Sequence, residues 1–295
     1  MLPSGRSRPF ADGTIGEEIP TMLEVPFHGK DGHPLWAYTI ERGTPTADTV
    51  MFLHAGGPDH HSLVPLAERL TARWQVVLPD IRGYGRSVCR DPASHTWAQY
   101  VADAIALLDH VYAERALVVG VGLGTTIALR LAAAYPDRVA AAVLISLEDI
   151  EDDEAKARET KFLEDFKHRI LEHGLDKAWE SILGFFPPIV DAMVCDAIPR
   201  SDRESIAAAT SIGQDRSFRS VEDLAAIATP TLIIPGIDAR HPLELAKQAA
   251  AVMPNGELAS IAMSKDLRTV DDFANSFADV ICSFFLRGTI RPSGE

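Results

Sequence analysis

The chain is short of several things, and each absence narrows what it can be. Its three cysteines, Cys89, Cys195 and Cys282, are scattered without the spacing of a metal site or a redox pair. A cytoplasmic protein with reduced thiols is therefore expected. No apolar run approaches the roughly 18 residues that cross a bilayer. Residues Met1–Pro20 hold Gly, Pro and charge but no apolar h-region, so no secretion signal is expected there. Basic residues number 28 against 42 acidic ones, a net charge of −14, which argues against nucleic acid and anionic membranes as partners. No repeat or low-complexity segment is present. No histidine follows His241.

What is present is ordinary in bulk. A hydrophobic content of 46% supports one large α/β domain, or one domain with a sizeable insertion. Thr21–Phe27 and Pro34–Ile40 flank the turn signal Gly29-Lys30-Asp31-Gly32 and predict a hairpin. Val50–Leu53, Gln75–Leu78, Leu117–Val119, Val139–Ile145, Thr231–Ile234 and Glu257–Ile261 are apolar runs expected to form buried strands. Helical periodicity lies between them: after a cap at Ser62, over Trp97–Val111, from the glycines at 120–124 to Tyr135-Pro136, over Leu243–Met253 and over Val270–Phe285. This alternation predicts a mostly parallel sheet with helices on both faces. Between Leu147 and Val221 only helical stripes occur, among them Phe162/Phe166/Ile170 and Trp179/Ile182/Leu183/Phe186. The expected organisation is a core of residues 1–147 and 221–295 with a helical cap, 148–220, inserted in it. Between Glu148 and Asp223 there are 19 acidic and 10 basic residues, so most of the charge imbalance falls in this segment.

Three motifs stand at strand ends: His54-Ala55-Gly56-Gly57-Pro58, Asp80-x-Arg82-Gly83-x-Gly85-x-Ser87, and Gly120-x-Gly122-x-Gly124. The last is not a dinucleotide fingerprint, because Thr125 stands where the third glycine belongs. In this order the three resemble the α/β-hydrolase superfamily: its His-Gly-Gly-Pro oxyanion loop, its D-x-R-G-x-G-x-S turn and its G-x-S-x-G nucleophile elbow. The resemblance runs from about Thr21 to Phe285 and implies the α/β-hydrolase fold with a helical cap. It assigns the acid of the triad to Asp238, after strand Thr231–Ile234, and backbone oxyanion donors to Leu123 and Gly56.

The chain departs from that pattern twice. Gly122 stands where the nucleophile belongs, and the segment Ala262–Arg268, where the histidine is usual, has none. A conventional Ser-His-Asp hydrolase is therefore not expected. No imidazole should pair with Asp238; Lys265 or Arg268 is the expected partner, and the lost side chain at Gly122 should enlarge the pocket. His60 and His61 remain as candidate general bases beside the oxyanion loop, against the plainer reading that they face solvent. His54 is read as a structural hydrogen-bonder, Tyr84 as packing, His95 as a surface residue and Cys89 as unreactive. A pocket floored by Gly56, Gly57, Gly122 and Leu123 and walled by Trp179, Phe185 and Phe186 suits a neutral, mostly apolar small molecule, with no cofactor or metal implied. The partner expected is a small molecule, not nucleic acid or a membrane, and a homodimer is left open. Three readings stay open: cofactor-independent non-hydrolytic chemistry on the oxyanion donors, a non-catalytic binding protein, and a hydrolase with a relocated nucleophile such as Ser87 or Ser264.

Overall fold

The computed structural model describes residues 21–41 and 48–289; the expected absence of a signal in Met1–Pro20 lies outside the described residues. Eight strands form one sheet: β1 (Thr21–His28), β2 (Pro34–Glu41), β3 (Thr49–Leu53), β4 (Gln75–Pro79), β5 (Ala116–Val121), β6 (Val139–Ile145), β7 (Thr231–Ile234) and β8 (Gly256–Leu258). Their spatial order is β1-β2-β4-β3-β5-β6-β7-β8. Strand β2 runs antiparallel to both its neighbours, and β3 to β8 pair in parallel. The last strand is shorter than the sequence suggests, since pairing stops at Leu258. Around Ser62 the chain makes a single turn, His60–Leu63, capped by the Asp59 side chain and not by Ser62.

Period-two alternation sorts the side chains of the buried strands onto two faces. Val50, Phe52, Leu117 and Val119 pack with Leu63, Leu66, Phe273 and Phe277, from α1 (Val64–Leu70) and α9 (Val270–Thr289) and the turn before α1. Met51, Leu53 and Val118 face the other way, against Ile105, Leu108 and Ile127 of α2 (Trp97–His110) and α3 (Leu123–Ala134). Between β6 and β7 come α4 (Asp153–His173), α5 (Leu175–Glu180), α6 (Pro188–Ala197) and α7 (Arg203–Ala209); α8 (Leu243–Val252) follows β7. Helices α4 to α7 lie over the carboxyl ends of the parallel strands, where α/β proteins bind ligands.

The glycines around α3 are there for space. A Cβ on Gly120 would stand 2.3 Å from the Gly124 carbonyl oxygen, and one on Gly124 would stand 2.1 Å from that of Leu53. The helix lies on the sheet at a distance only glycine permits. Gly124→Ala is expected to cost about 3 kcal/mol or more by overpacking, or to prevent folding. Gly56→Ala, whose Cβ would meet nothing closer than 3.6 Å, is expected to be nearly neutral. Thermal unfolding of both variants checks this, and equal midpoints would refute the close-packing argument.

Candidate functional site

Strand β5 ends at Val121 and α3 begins at Leu123, so the chain turns through one residue. Gly122 has φ 50° and ψ −118°, a conformation that strains any residue with a side chain. The first N–H groups of α3, beginning with that of Leu123, have no acceptor within the helix. A cavity of about 150 Å³ opens above them, a volume that elsewhere accommodates one benzene-sized ring. Gly56, Gly57, Gly122 and Leu123 line it from the sheet side, and Phe162, Phe166, Trp179, Ile182 and Phe186 from the helices.

At the sheet end of the cavity five charged side chains form a chain. Asp238 Oδ1 accepts from the backbone N–H groups of Arg240 (3.0 Å) and His241 (3.1 Å) and lies 2.8 Å from His241 Nδ1. The other ring nitrogen, Nε2, lies 3.2 Å from Glu148 Oε2. That carboxylate also accepts from Arg240 Nε. The terminal nitrogens of Arg240 donate to Glu159 of α4 at 2.7 and 2.9 Å. Glu148 follows β6 in a run bracketed by two residues at positive φ, Ser146 (61°) and Asp149 (62°). A Cβ built on Gly122 would be 3.4 Å from Glu148 Oε1 and 3.1 Å from Ala55 Cβ. A carboxylate thus stands beside the elbow, at the edge of the cavity that Gly122 also lines.

Burial and neighbours drive these groups apart in acidity. For His241 burial favours the neutral ring, but hydrogen bonds to Asp238 and Glu148 prevail and raise its pKa to about 9. Glu148 is buried, yet the charges of Arg240 and His241 hold its carboxyl well below the usual carboxylate range. Asp149 is pushed up to about 8 by burial and then by the charge of Glu148, against the pull of Arg240. Burial, reinforced by Glu148 and Asp149, keeps the Tyr84 phenol protonated. At neutral pH an imidazolium therefore lies between two carboxylates, next to an uncharged acid. Two adjacent carboxyls with diverging acidities are the usual mark of an acid–base site.

The expectation that no imidazole pairs with Asp238 is overturned. The histidine comes three residues after the acid, from the same loop, not from the segment after β8. Neither Lys265 nor Arg268 is the partner. His60 and His61 do not line the cavity: Asp80 holds the ring of the first and Asp59, which caps their turn, that of the second. His60 is buried, stacked on Tyr38 at 3.5 Å, with Nδ1 2.7 Å from Asp80. His61 stands half-exposed on Asp59. Phe185 points outward, 77% exposed, from the turn before Pro187-Pro188. His95 is buried, not superficial, and bonds Tyr100 Oη and the Cys89 carbonyl. His54 acts structurally, accepting from the Ile81 N–H at Nε2, and Cys89 is buried. Tyr84 lines the cavity. Ser87 is buried against Trp36 and Ser264 is on the surface beside Asp266, neither of them at the cavity.

Sequence reasoning missed Glu148, Asp149, Glu159 and Arg240, counting the three acids only in the charge imbalance of their segment. A usable signal existed: Glu148-Asp149 follows the end of β6, at the sheet edge where ligands bind, and Arg240 separates the triad-position acid from a histidine.

Because the His241 pKa is raised on folding, its stabilisation is complete below its ordinary value of 6.5 and is lost as pH climbs through about 9. The thermal midpoint should fall across that interval, and His241→Gln should flatten the fall while lowering the midpoint on its acid side. The elevated Asp149 acts in the same direction, so some slope remains. Circular dichroism melts over a pH series provide the measurement, and parallel curves for wild type and variant would refute the ion chain.

A family model described as alpha/beta hydrolase fold matches residues 48–209. The putative carbamate hydrolase RutD of Caulobacter vibrioides is 34% identical over 110 residues, 37% of this chain and 41% of that protein. Epoxide hydrolase A of Mycobacterium tuberculosis is 36% identical over 115 residues, 37% of this chain and 34% of that protein. This chain thus spans about two fifths or less of these curated relatives. Among solved structures, a thermophilic esterase from Thermogutta terrifontis superposes with TM-score 0.74 at 20% identity, covering 90% of this chain and 99% of that one. The bottromycin epimerase BotH superposes with TM-score 0.64 at 20% identity, covering 89% and 98%. At such identity these likenesses show the fold and leave the reaction open. With its family model matched over more than half its length, the chain belongs to the α/β-hydrolase fold family.

Proposed function

We propose that this protein does not hydrolyse esters through an acyl-enzyme but holds a small, neutral, mostly apolar molecule above Gly122 and acts on it by proton transfer, without a cofactor. One observation carries the reading: the carboxylate of Glu148 stands beside the elbow, 3.4 Å from where a Cβ on Gly122 would be, and takes up His241 Nε2. An imidazole with both nitrogens on carboxylates has no lone pair with which to activate a hydroxyl. The backbone donors at the start of α3 are unaffected and suit a carbonyl or enolate oxygen. The helices between β6 and β7 serve as a lid whose aromatic underside sets the preference for an apolar ligand. An acidic exterior disfavours anions.

A second reading, a non-catalytic binding protein, is favoured by the pairing of the charged groups around His241 with one another, which leaves mainly apolar wall. Neither reading depends on the fold, which carries an esterase in one solved relative and an epimerase in another.

The decisive comparison is p-nitrophenyl acetate turnover by wild type, Gly122→Ser, and Gly122→Ser combined with Glu148→Ala. In the single variant the new hydroxyl meets a carboxylate, and no base is released, so turnover should stay at background. Removing Glu148 frees His241 Nε2 while Arg240 keeps Glu159. The double variant should gain about 10²-fold or more, the usual contribution of a positioned base. Efficient turnover by wild type or by the single variant would place a nucleophile and base elsewhere and restore ordinary hydrolysis as the leading account.

A further inference from the structure

Glu148 and Asp149 are neighbours with unequal engagements. Glu148 is held by His241 and Arg240. Asp149 also lines the cavity, with its side chain nine-tenths buried and the nearest nitrogen of Arg240 no closer than 3.8 Å. Its Oδ2 lies 3.0 Å from Thr126 Oγ1, in the first turn of α3. The same hydroxyl lies 3.3 Å from the Glu148 carbonyl oxygen.

A hydroxyl has one proton to give. The Glu148 carbonyl can only accept, so when Thr126 donates to it the Thr126 oxygen is left as an acceptor. Asp149 then completes the set by donating, which requires it to carry its proton. When Asp149 ionises, the Thr126 hydroxyl rotates and donates to the new carboxylate. One side chain therefore serves both protonation states without displacing a heavy atom. Asp149 is held at φ 62°, a strained setting for a non-glycine residue and one that accumulates at functional sites.

We propose that Asp149, positioned by Thr126, is the proton-transfer group of this cavity: as the carboxylate it takes a proton from carbon, and as the acid it gives one back, on a neutral apolar ligand lying against Gly122 and Leu123. The proposal rests on the reading of the cavity given above and adds the residue that does the work. The groups most strongly coupled to Asp149 by charge are Glu148 and Glu151 of its own segment, Glu159 of α4, Arg240 of the loop after β7, and Tyr84; Lys156 of α4, paired with Glu151 at 3.3 Å, and His241 line the same cavity. Three of the five are carboxylates, which favour the neutral acid and make its anion a stronger base than an exposed aspartate.

The test uses 5-nitrobenzisoxazole, a flat neutral molecule that needs nothing but a base. The Asp149 carboxylate takes the proton on C3. The C–H electron pair forms the third carbon–nitrogen bond, the N–O bond breaks, and the oxygen leaves as 2-cyano-4-nitrophenolate, which is read by absorbance. The proton on Asp149 returns to solvent, and no oxidant or reductant is involved. Binding is followed separately, by quenching of tryptophan fluorescence.

Turnover by the wild-type protein should rise with pH through an inflection near 8. Asp149→Asn should lower it by about 10²-fold or more while retaining binding. Glu148→Gln should move the inflection down, because the like charge that opposes ionisation is gone. Thr126→Val should move it up, because the carboxylate loses its stronger, charge-assisted hydrogen bond. Binding without turnover, or an Asp149→Asn profile that matches wild type, overturns the role of Asp149 and leaves the cavity reading standing. No binding overturns the cavity reading and the proposal with it. Should Asp149→Asn fail to fold, the Glu148→Gln profile decides: an inflection that stays or moves up refutes the assignment.

Discussion

The contact between Glu148 and His241 governs the rest of the site. It draws a carboxylate beside the elbow, commits both nitrogens of the imidazole, and sets the charge that Arg240 must answer. In an ordinary member of this fold the imidazole would face a hydroxyl, and the acid behind it would tune one base. Here it faces a second acid. The result is an alternating row, Asp238, His241, Glu148, Arg240, Glu159, in which each charge is stabilised by the next. Such a row is demanding: removing one partner leaves an uncompensated charge in a largely buried setting.

Two features free the space for this arrangement. Gly122 carries no side chain, so the Glu148 carboxylate can approach the elbow. The segment after β8 supplies no histidine, so the loop after β7 can deliver its own. The two departures from the family pattern, independent in sequence, meet in one place in space. A serine at Gly122 would contend with Glu148, and a histidine after β8 would contend with His241. The site is better understood as a rebuilt constellation than as a triad with parts missing.

The sheet was legible because its signals are local. Continuous apolar runs such as Val139–Ile145 can be little other than buried strands, and Gly120 and Gly124 announce a close crossing through spacing alone. The cavity floor, Gly56, Gly57, Gly122 and Leu123, followed from motif positions. The acid–base groups were not legible, because what defines them is partnership across 90 or so residues: Glu148 and His241 are 93 apart. His60 and His61 misled for the converse reason. They sit next to the oxyanion loop in sequence, but Asp80 and Tyr38 hold the first ring and Asp59 the second, so neither reaches the cavity. Phe185 and Phe186 show the same limit at its smallest scale, since adjacent aromatics point to opposite sides and only Phe186 reaches the cavity.

Besides Arg90, which bonds Asp202 at the start of α7, two arginines of opposite origin tie the helices over the cavity to the sheet side. Arg240 reaches up from the loop after β7 to Glu159 of α4. Arg200 reaches down from the turn after α6 to Asp59 at the oxyanion loop, at 2.8 and 3.1 Å. Outward movement of the helices on either side separates a guanidinium from a carboxylate that is more than nine-tenths buried in one case and nearly so in the other. The carboxylates are buried, but both arginine side chains stay about a third exposed, so water offsets part of the cost of that separation. A molecule that entered or left by such a movement would have to part these two forks at the rim, a step separate from how well the aromatic walls fit it.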